Sequence, residues 1–380
     1  MMKIIICLLI CFNGLAQPYY RENGNTRHSF AQTVFGIETQ VSFGGASKFV
    51  NEKGEVESFS FNSQLTPRVY IAGTHFWGHT EFYFSIPLSP IQVNKNNGTY
   101  YKTNVADIFG AKIFPWAIKR KKVRPFIGAT VAAISFKQYK NKKESMGATY
   151  TKTKVPLIAG LNYCTGRYFI EVSVTYDYNN QLNYFISPVI SNKIYTPQMY
   201  FNLTLKRWFE TTMSAEKAYR NGETKKRFEK LKEEKKLSSW LVGIGPSSAF
   251  FTKTSPEIKD SKPYLDKPYS TNVFPEAVAG YYYQPLETHF VAVYRANKTK
   301  HEGYGTRHTY LRKALTLEAH SRIFDFHGFV PYLGICGSYE WLNFKEEEIY
   351  GESYSKKTEM VKPGIVFGWD ILPDKLQSFT

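Results

Sequence analysis

Tyr168-Phe169-Ile170-Glu171-Val172-Ser173-Val174-Thr175-Tyr176 decides the fold class. Tyr168, Ile170, Val172, Val174 and Tyr176 take one parity of this run, and Phe169, Glu171, Ser173 and Thr175 take the other. Successive side chains of a strand point to opposite faces, so a period of two makes one face apolar and the other largely polar. The pattern recurs nearby. Met199, Phe201, Leu203 and Leu205 alternate with Tyr200, Asn202, Thr204 and Lys206, and Phe82, Phe84 and Ile86 oppose Glu81, Tyr83 and Ser85.

A soluble sandwich alternates in the same way, so the connections have to separate the two readings. Strands are expected near 34–44, 66–74, 79–88, 104–116, 124–136, 153–163, 168–177 and 197–209. Long polar connections, such as Gly45 to Gln64 and Lys137 to Lys152, alternate with short turns such as Cys164 to Arg167. Segments of about ten alternating residues joined by unequal ends are the pattern of a transmembrane β-barrel, long loops outside the cell and short turns in the periplasm. Lipid enforces closure, because an open edge leaves backbone groups unpaired at a cost of several kcal/mol each.

Composition agrees. Aromatic residues make up 17% of the chain, with 28 Tyr and 29 Phe, and suit pleated surfaces and membrane interfaces. Residues 1–16 read as a signal peptide: Lys3, an apolar stretch from Ile4 to Phe12, and Gly14-Leu15-Ala16 before Gln17. That stretch is too short to span a bilayer as a helix. Cleavage would remove Cys7 and Cys11, leaving Cys164 and Cys336 as small apolar wall residues or as a pair if folding brings them together. The net charge of +17 lies in scattered residues and loop clusters such as Lys119-Arg120-Lys121-Lys122. Export argues against nucleic acid; lipid phosphates, lipopolysaccharide and anionic solutes are the expected counterparts.

An extension at 17–33 precedes the first strand set at 34–209. Residues 210–239 then interrupt the pattern with Lys225-Lys226-Arg227 and Glu233-Glu234-Lys235-Lys236, reading as a charged periplasmic linker, part helical, able to meet periplasmic or outer-membrane proteins. Residues 240–380 repeat what came before. Arg124-Pro125-Phe126-Ile127-Gly128 is echoed by Val330-Pro331-Tyr332-Leu333-Gly334, Lys154-Val155-Pro156 by Val361-Lys362-Pro363, Gly36-Ile37 by Gly243-Ile244, and Pro67 by Pro275. A repeat in register predicts a duplicated eight-strand unit. The second set is read near 240–251, 273–283, 287–297, 307–324, 329–344 and 358–371, with the last hairpin missing.

Pro363-Gly364-Ile365-Val366-Phe367-Gly368-Trp369-Asp370-Ile371-Leu372-Pro373 resembles uncharacterised outer-membrane β-barrel proteins of the Bacteroidota. So do His75-Phe76-Trp77-Gly78-His79, Gly243-Ile244-Gly245-Pro246-Ser247 and His327-Gly328-Phe329-Val330-Pro331. The resemblance covers most of the mature chain and implies location rather than activity; in those relatives strand sequence continues beyond the Gly-Trp-Asp segment.

Chemistry is sparse. Arg312, Thr316, Glu318, His320 and Arg322 share one face of a strand, with Leu315, Leu317 and Ile323 on the other. Glu318 and His320 beside a hydroxyl would suit a lipid-modifying site, but polar lumen residues ordinarily fill small barrels with ion pairs. His79-Thr80-Glu81 and Glu287-Thr288-His289 occupy equivalent places in the two halves, and would make a metal site only if the halves face each other. No metalloprotease helix, phosphate loop or nucleophile elbow occurs.

The expectation is therefore an all-β, antiparallel transmembrane barrel of about 14–16 strands in the outer membrane, without cofactor or metal and not an enzyme. A single wide barrel is preferred to two eight-stranded barrels in tandem. It would act as a pore for small, anionic solutes with Lys206, Arg312 and Arg322 in the lumen, or alternatively as a scaffold in an envelope complex. Glu171, Lys206, His79, Glu81, Glu287, His289, Arg312, Glu318, His320 and Arg322 are the polar residues expected to face the lumen.

Overall fold

The computed structural model describes residues 20–23, 26–29, 32–43, 46–50, 55–60, 63–88, 92–96, 99–140, 144–185, 187–210, 226, 230–231, 233–250, 256–266, 271–323, 329–348 and 351–371. The leader at 1–16 and most of the linker lie outside them. The regular structure is dominated by antiparallel β-strands.

Eight strands build the first half: β1 (Gln32–Ser42), β2 (Gln64–His75), β3 (Thr80–Pro87), β4 (Thr99–Ile113), β5 (Val123–Lys140), β6 (Leu157–Cys164), β7 (Tyr168–Tyr176) and β8 (Met199–Glu210). Each pairs with the next, and β8 returns to β1 in register from Tyr200↔Ser42 to Glu210↔Gln32. The sheet is a closed eight-stranded barrel. Alternation sorts its faces as the sequence requires. Ile127 is 68% exposed, Ile37 63% and Leu203 55%, whereas Glu171, Thr204 and Lys206 are buried inside. An apolar exterior around a polar interior is the reverse of a soluble protein and is what a bilayer solvates.

The wide barrel preferred from the sequence does not form, because β8 pairs with β1 rather than with the strand that follows the linker. A second correction concerns the long connections, which are largely β-structure. Ala46–Val50 pairs with Val56–Ser60, and Glu144–Lys154 pairs back onto β5 from Lys140↔Glu144 to Ala132↔Lys154. Beyond the membrane zone the neighbouring strand still offers backbone partners, as Lys140↔Thr99 does between β5 and β4, so the ladder simply continues.

The short-turn rim is stoppered. Phe76 and Trp77 have φ of 55° and 56°, and Gly78 has φ of 86°. A Cβ on Gly78 would stand 2.3 Å from the Ile118 side chain, so that position requires glycine for its dihedral and for its space. Ile118 donates its N–H to Trp77 O at 2.9 Å and is 2% exposed, tying the connection between β4 and β5 across this end.

The second half is a six-stranded antiparallel meander: β9 (Ser239–Phe250), β10 (Thr271–Tyr283), β11 (Thr288–Gly303), β12 (Thr306–Arg322), β13 (Phe329–Glu348) and β14 (Tyr354–Ile371). The short 3-10 turns Phe76–Gly78 and Gln284–Leu286 fall 208 positions apart, after β2 and β10 respectively. Among the described residues no further strand joins β9 or β14. Trp240, Val242 and Ile244 on β9 are more than 80% exposed. The two halves touch at their outer ends, where Tyr264 and Leu265 pack with Phe185 and Tyr304 and Tyr304 Oη donates to Phe185 O at 2.6 Å, and near the short turns, where the Phe82 and Trp369 rings lie 5.5 Å apart. In the linker, Glu234 N–H bonds Lys230 O at 2.9 Å, one helical turn that ends at Lys235 with φ of 55°.

Candidate functional site: a filled lumen and an open polar face

Inside the first barrel four charges form a ring. Lys112 Nζ lies 3.2 Å from Glu81 and 2.5 Å from Glu171, and Lys206 Nζ lies 2.8 Å from Glu81 and 2.6 Å from Glu171. Both lysine side chains are 0% exposed and neither carboxylate exceeds 2%. Strand parity places them there: Glu81 and Lys112 are directly opposed on β3 and β4, while Glu171 and Lys206 point inward from β7 and β8. Alternating signs let every charge meet two opposite ones, which offsets the large desolvation cost of burying ions.

The surrounding side chains complete the fill. Tyr70 Oη donates to Glu81 and accepts from Lys112 at 2.8 Å, and the Tyr83 ring lies 4.4 Å under the same ammonium. Asn162 Nδ2 donates to Glu171 at 3.2 Å while accepting from Arg124, whose guanidinium also reaches Gly78 O at 2.8 Å. One layer away, Glu38 accepts from Ser85 at 2.6 Å and Thr204 at 3.2 Å, and Arg68 Nε bonds Ser85 Oγ at 2.7 Å. Gln40, Asn202, Ser173 and Thr175 are linked in turn. An eight-stranded barrel is just wide enough for side chains to fill it, and these do.

The polar face of the second half is built differently. Arg295 contacts Glu276 at 2.8 Å and Glu318 at 3.7 Å, and Arg312 and Lys362 both bind Glu340, Lys362 at 3.0 Å. The cations here stay half wet: Arg312 is 36% and Lys362 52% exposed. Nearer the short turns, Tyr282, His289, His320 and Tyr332 stack in sequence across β10 to β13, with centroid spacings of 4.6, 5.2 and 4.2 Å.

Of the residues singled out from sequence, Glu81, Glu171 and Lys206 meet in one ring, and His289 and His320 meet in another place. His79 sits in the turn before β3 and donates Nδ1–H to Phe114 O at 3.0 Å, apart from the ring. Glu287 is exposed in a left-handed turn with φ of 48°. The two His and two Glu therefore do not assemble, since they lie on separate sheets. Glu318 and His320 share a face, but one engages Arg295 and the other is stacked between His289 and Tyr332. Cys164 and Cys336 are both free. Sequence reading passed over Lys112, Arg68 and Arg124. Lys112 was legible in principle, as a lone cation inside an expected strand, but only the register puts it opposite Glu81.

Closed strands, an apolar exterior and a paired polar interior define a transmembrane β-barrel of the outer-membrane type. No family model and no curated protein sequence matches the chain. Among solved structures it is similar to the outer-membrane protein AlkL determined by solid-state NMR in lipid bilayers, at 14% identity and a TM-score of 0.35, covering 51% of this chain and 97% of that one. Neisserial surface protein A matches at 10% identity and a TM-score of 0.25, over 47% and 97%. OccAB1 of Acinetobacter baumannii matches at 8% identity and a TM-score of 0.16, over 91% and 100%. The barrel assignment rests on the strand pairing described above.

Proposed function

We propose that this is a non-conducting outer-membrane barrel protein, whose first eight strands are a sealed anchor and whose outer layer and second sheet present surfaces to a partner in the cell envelope. The observation that carries this reading is the ring of Lys112, Glu81, Lys206 and Glu171, which fills the lumen with charges already satisfied by one another. A solute would have to break that ring to pass. Two of the three cations expected to favour anions are paired, Lys206 with Glu81 and Glu171, and Arg312 with Glu340, which it shares with Lys362. The protein is not an enzyme on this reading, since Glu318 and His320 are engaged with different partners. The similar halves derive from a duplication, and the chain reaches the membrane after removal of its leader.

A second reading keeps the pore and moves it to the second half, where the face carrying Glu276, Arg295, Glu318, Arg312, Glu340 and Lys362 is polar and partly wet. Single-channel recording of the folded full-length protein in planar bilayers separates the two. The sealed-anchor reading expects no stable steps above the bare bilayer. Long-lived open steps with ion selectivity would remove it in favour of the pore.

A further inference from the structure

Two imidazoles in the second half stand where the first half has its central ion pair. Glu81 and Lys112 are cross-strand partners on β3 and β4; His289 and His320, each 208 positions on, are cross-strand partners on β11 and β12. In the first barrel the pair is completed by Lys206 and Glu171 reaching across the lumen. His289 and His320 are both 7% exposed, and His289 Nε2 and His320 Nδ1 are buried without a hydrogen-bond partner. A buried ring nitrogen without a partner has lost its water and gained nothing in return, so a polar group placed against it is favoured.

The neighbours say which polar group. Arg322 lies on the same face of β12, two residues beyond His320, and its guanidinium sits 5.0 Å from the Tyr282 ring, which itself stacks on His289. Tyr332, opposite Arg322 in the register, stacks on His320 at 4.2 Å. The cluster thus combines one fixed positive charge, two imidazoles that can each present an N–H, and two phenols. A metal cation would meet the imidazoles together with the repulsion of Arg322; an anion meets donors and attraction. The location suits a ligand from the periplasm, because His289 follows the short Gln284–Leu286 turn closely and Arg322 is the last residue of its strand.

We propose that His289, His320 and Arg322 form a binding site for a small oxyanion of the phosphate type at the short-turn end of the second sheet. This goes beyond the proposed scaffold function and does not depend on whether the protein conducts.

The test is titration of inorganic phosphate into the full-length protein in detergent, followed by calorimetry and by the ring-nitrogen signals of protein labelled with 15N-histidine. Saturable binding is expected, with shifts at His289 and His320 and none at the other six histidines. Arg322→Gln and His320→Phe should each weaken binding at least tenfold, while Lys362→Gln, whose cation is held by Glu340, should leave it unchanged. Repeating the spectra in bilayer discs containing phosphatidylglycerol identifies the source. Signals already at their bound positions would assign the site to a lipid headgroup, and signals that move only with added phosphate to the free ion. Absence of saturable binding, equal affinity in the Arg322 variant, or shifts confined to other histidines would overturn the proposal. The wild-type spectra decide this even if a variant fails to fold.

Discussion

Gly36 on β1 and Gly243 on β9 occupy corresponding places in the two halves, and their surroundings could hardly differ more. A Cβ on Gly36 would stand 2.4 Å from Leu205 O and 2.9 Å from Lys206 Cα, because β8 closes against β1 at that point. On Gly243 the nearest atom would be the Val278 side chain at 3.9 Å. The charges follow suit. Lys206 has no solvent exposure and two carboxylates, whereas Arg312 shares Glu340 with Lys362 and remains 36% exposed. Similar strands with similar alternation yield a packed core in one half and a wet face in the other. Closure, more than composition, turns a polar face into a lumen.

Mutations break this comparison most sharply at the charges. Glu171→Ala should cost about 3–5 kcal/mol, since it strands Lys112 and Lys206 in a dry interior. Glu340→Ala should cost only about 1 kcal/mol, because Arg312 and Lys362 can turn to water. Denaturant midpoints of the folded protein, read by loss of heat-modifiable mobility, give both numbers. Equal losses would mean that the two faces are equally buried.

The glycines come next. Gly36→Ala forces backbone to move and should destabilise by about 1–3 kcal/mol. Gly243→Ala meets ordinary contact and should be neutral or slightly stabilising, as Ala in a strand costs less entropy than Gly. The same unfolding measurement applies, and a damaging Gly243→Ala would show that something packs on that edge.

The smallest effect belongs to the outer latch, beyond the membrane zone. Lys262 Nζ bonds Glu346 and Glu348 at 2.6 Å each, and His308 Nε2 reaches Glu346 at 2.5 Å. Burial alone would raise the Glu346 carboxyl, but hydrogen bonds from Lys262 and His308 outweigh it and hold the group below its ordinary range. Burial dominates at His308 and lowers it despite Glu346. Both folded values lie below the unfolded ones, so both contributions are present at neutral pH and are lost with acid. His308 loses its part as pH falls from about 6.5, and Glu346 its part below about 4. Proteolysis at the 256–266 segment should rise as pH falls through these windows, by less in Lys262→Ala, where the latch is already weakened.

Much of this was legible beforehand. The run from Tyr168 to Tyr176 sorted its faces as read, and the strands were placed to within a few residues, because parity against lipid is a local signal. Closure was not local. Whether Phe209 and Glu210 pair with Thr33 and Gln32 or with strands beyond the linker depends on contacts some 180 residues apart, which alternation leaves open. The ring needed register as well: Glu171 and Lys206 announce inward faces, but Lys112 joins them only through its pairing with Glu81. The long polar connections misled for another reason, since ladders extend past the membrane wherever a neighbouring strand continues.

Closure of β8 onto β1 is the claim on which the sealed lumen stands, and a cross-link measures it directly. Ile37 and Leu205 are register partners with exposed, lipid-facing side chains. Directly opposed strand residues lie about 4.5–5.5 Å apart at Cα, within reach of a disulfide. With Cys336 replaced by serine, I37C/L205C should oxidise within one chain to near completion, identified by mass spectrometry of the joined peptides, and I37C/I365C should not. Linkage of position 37 to β14 instead, with no link to 205, would mean that the halves share one wide barrel and would contradict the account.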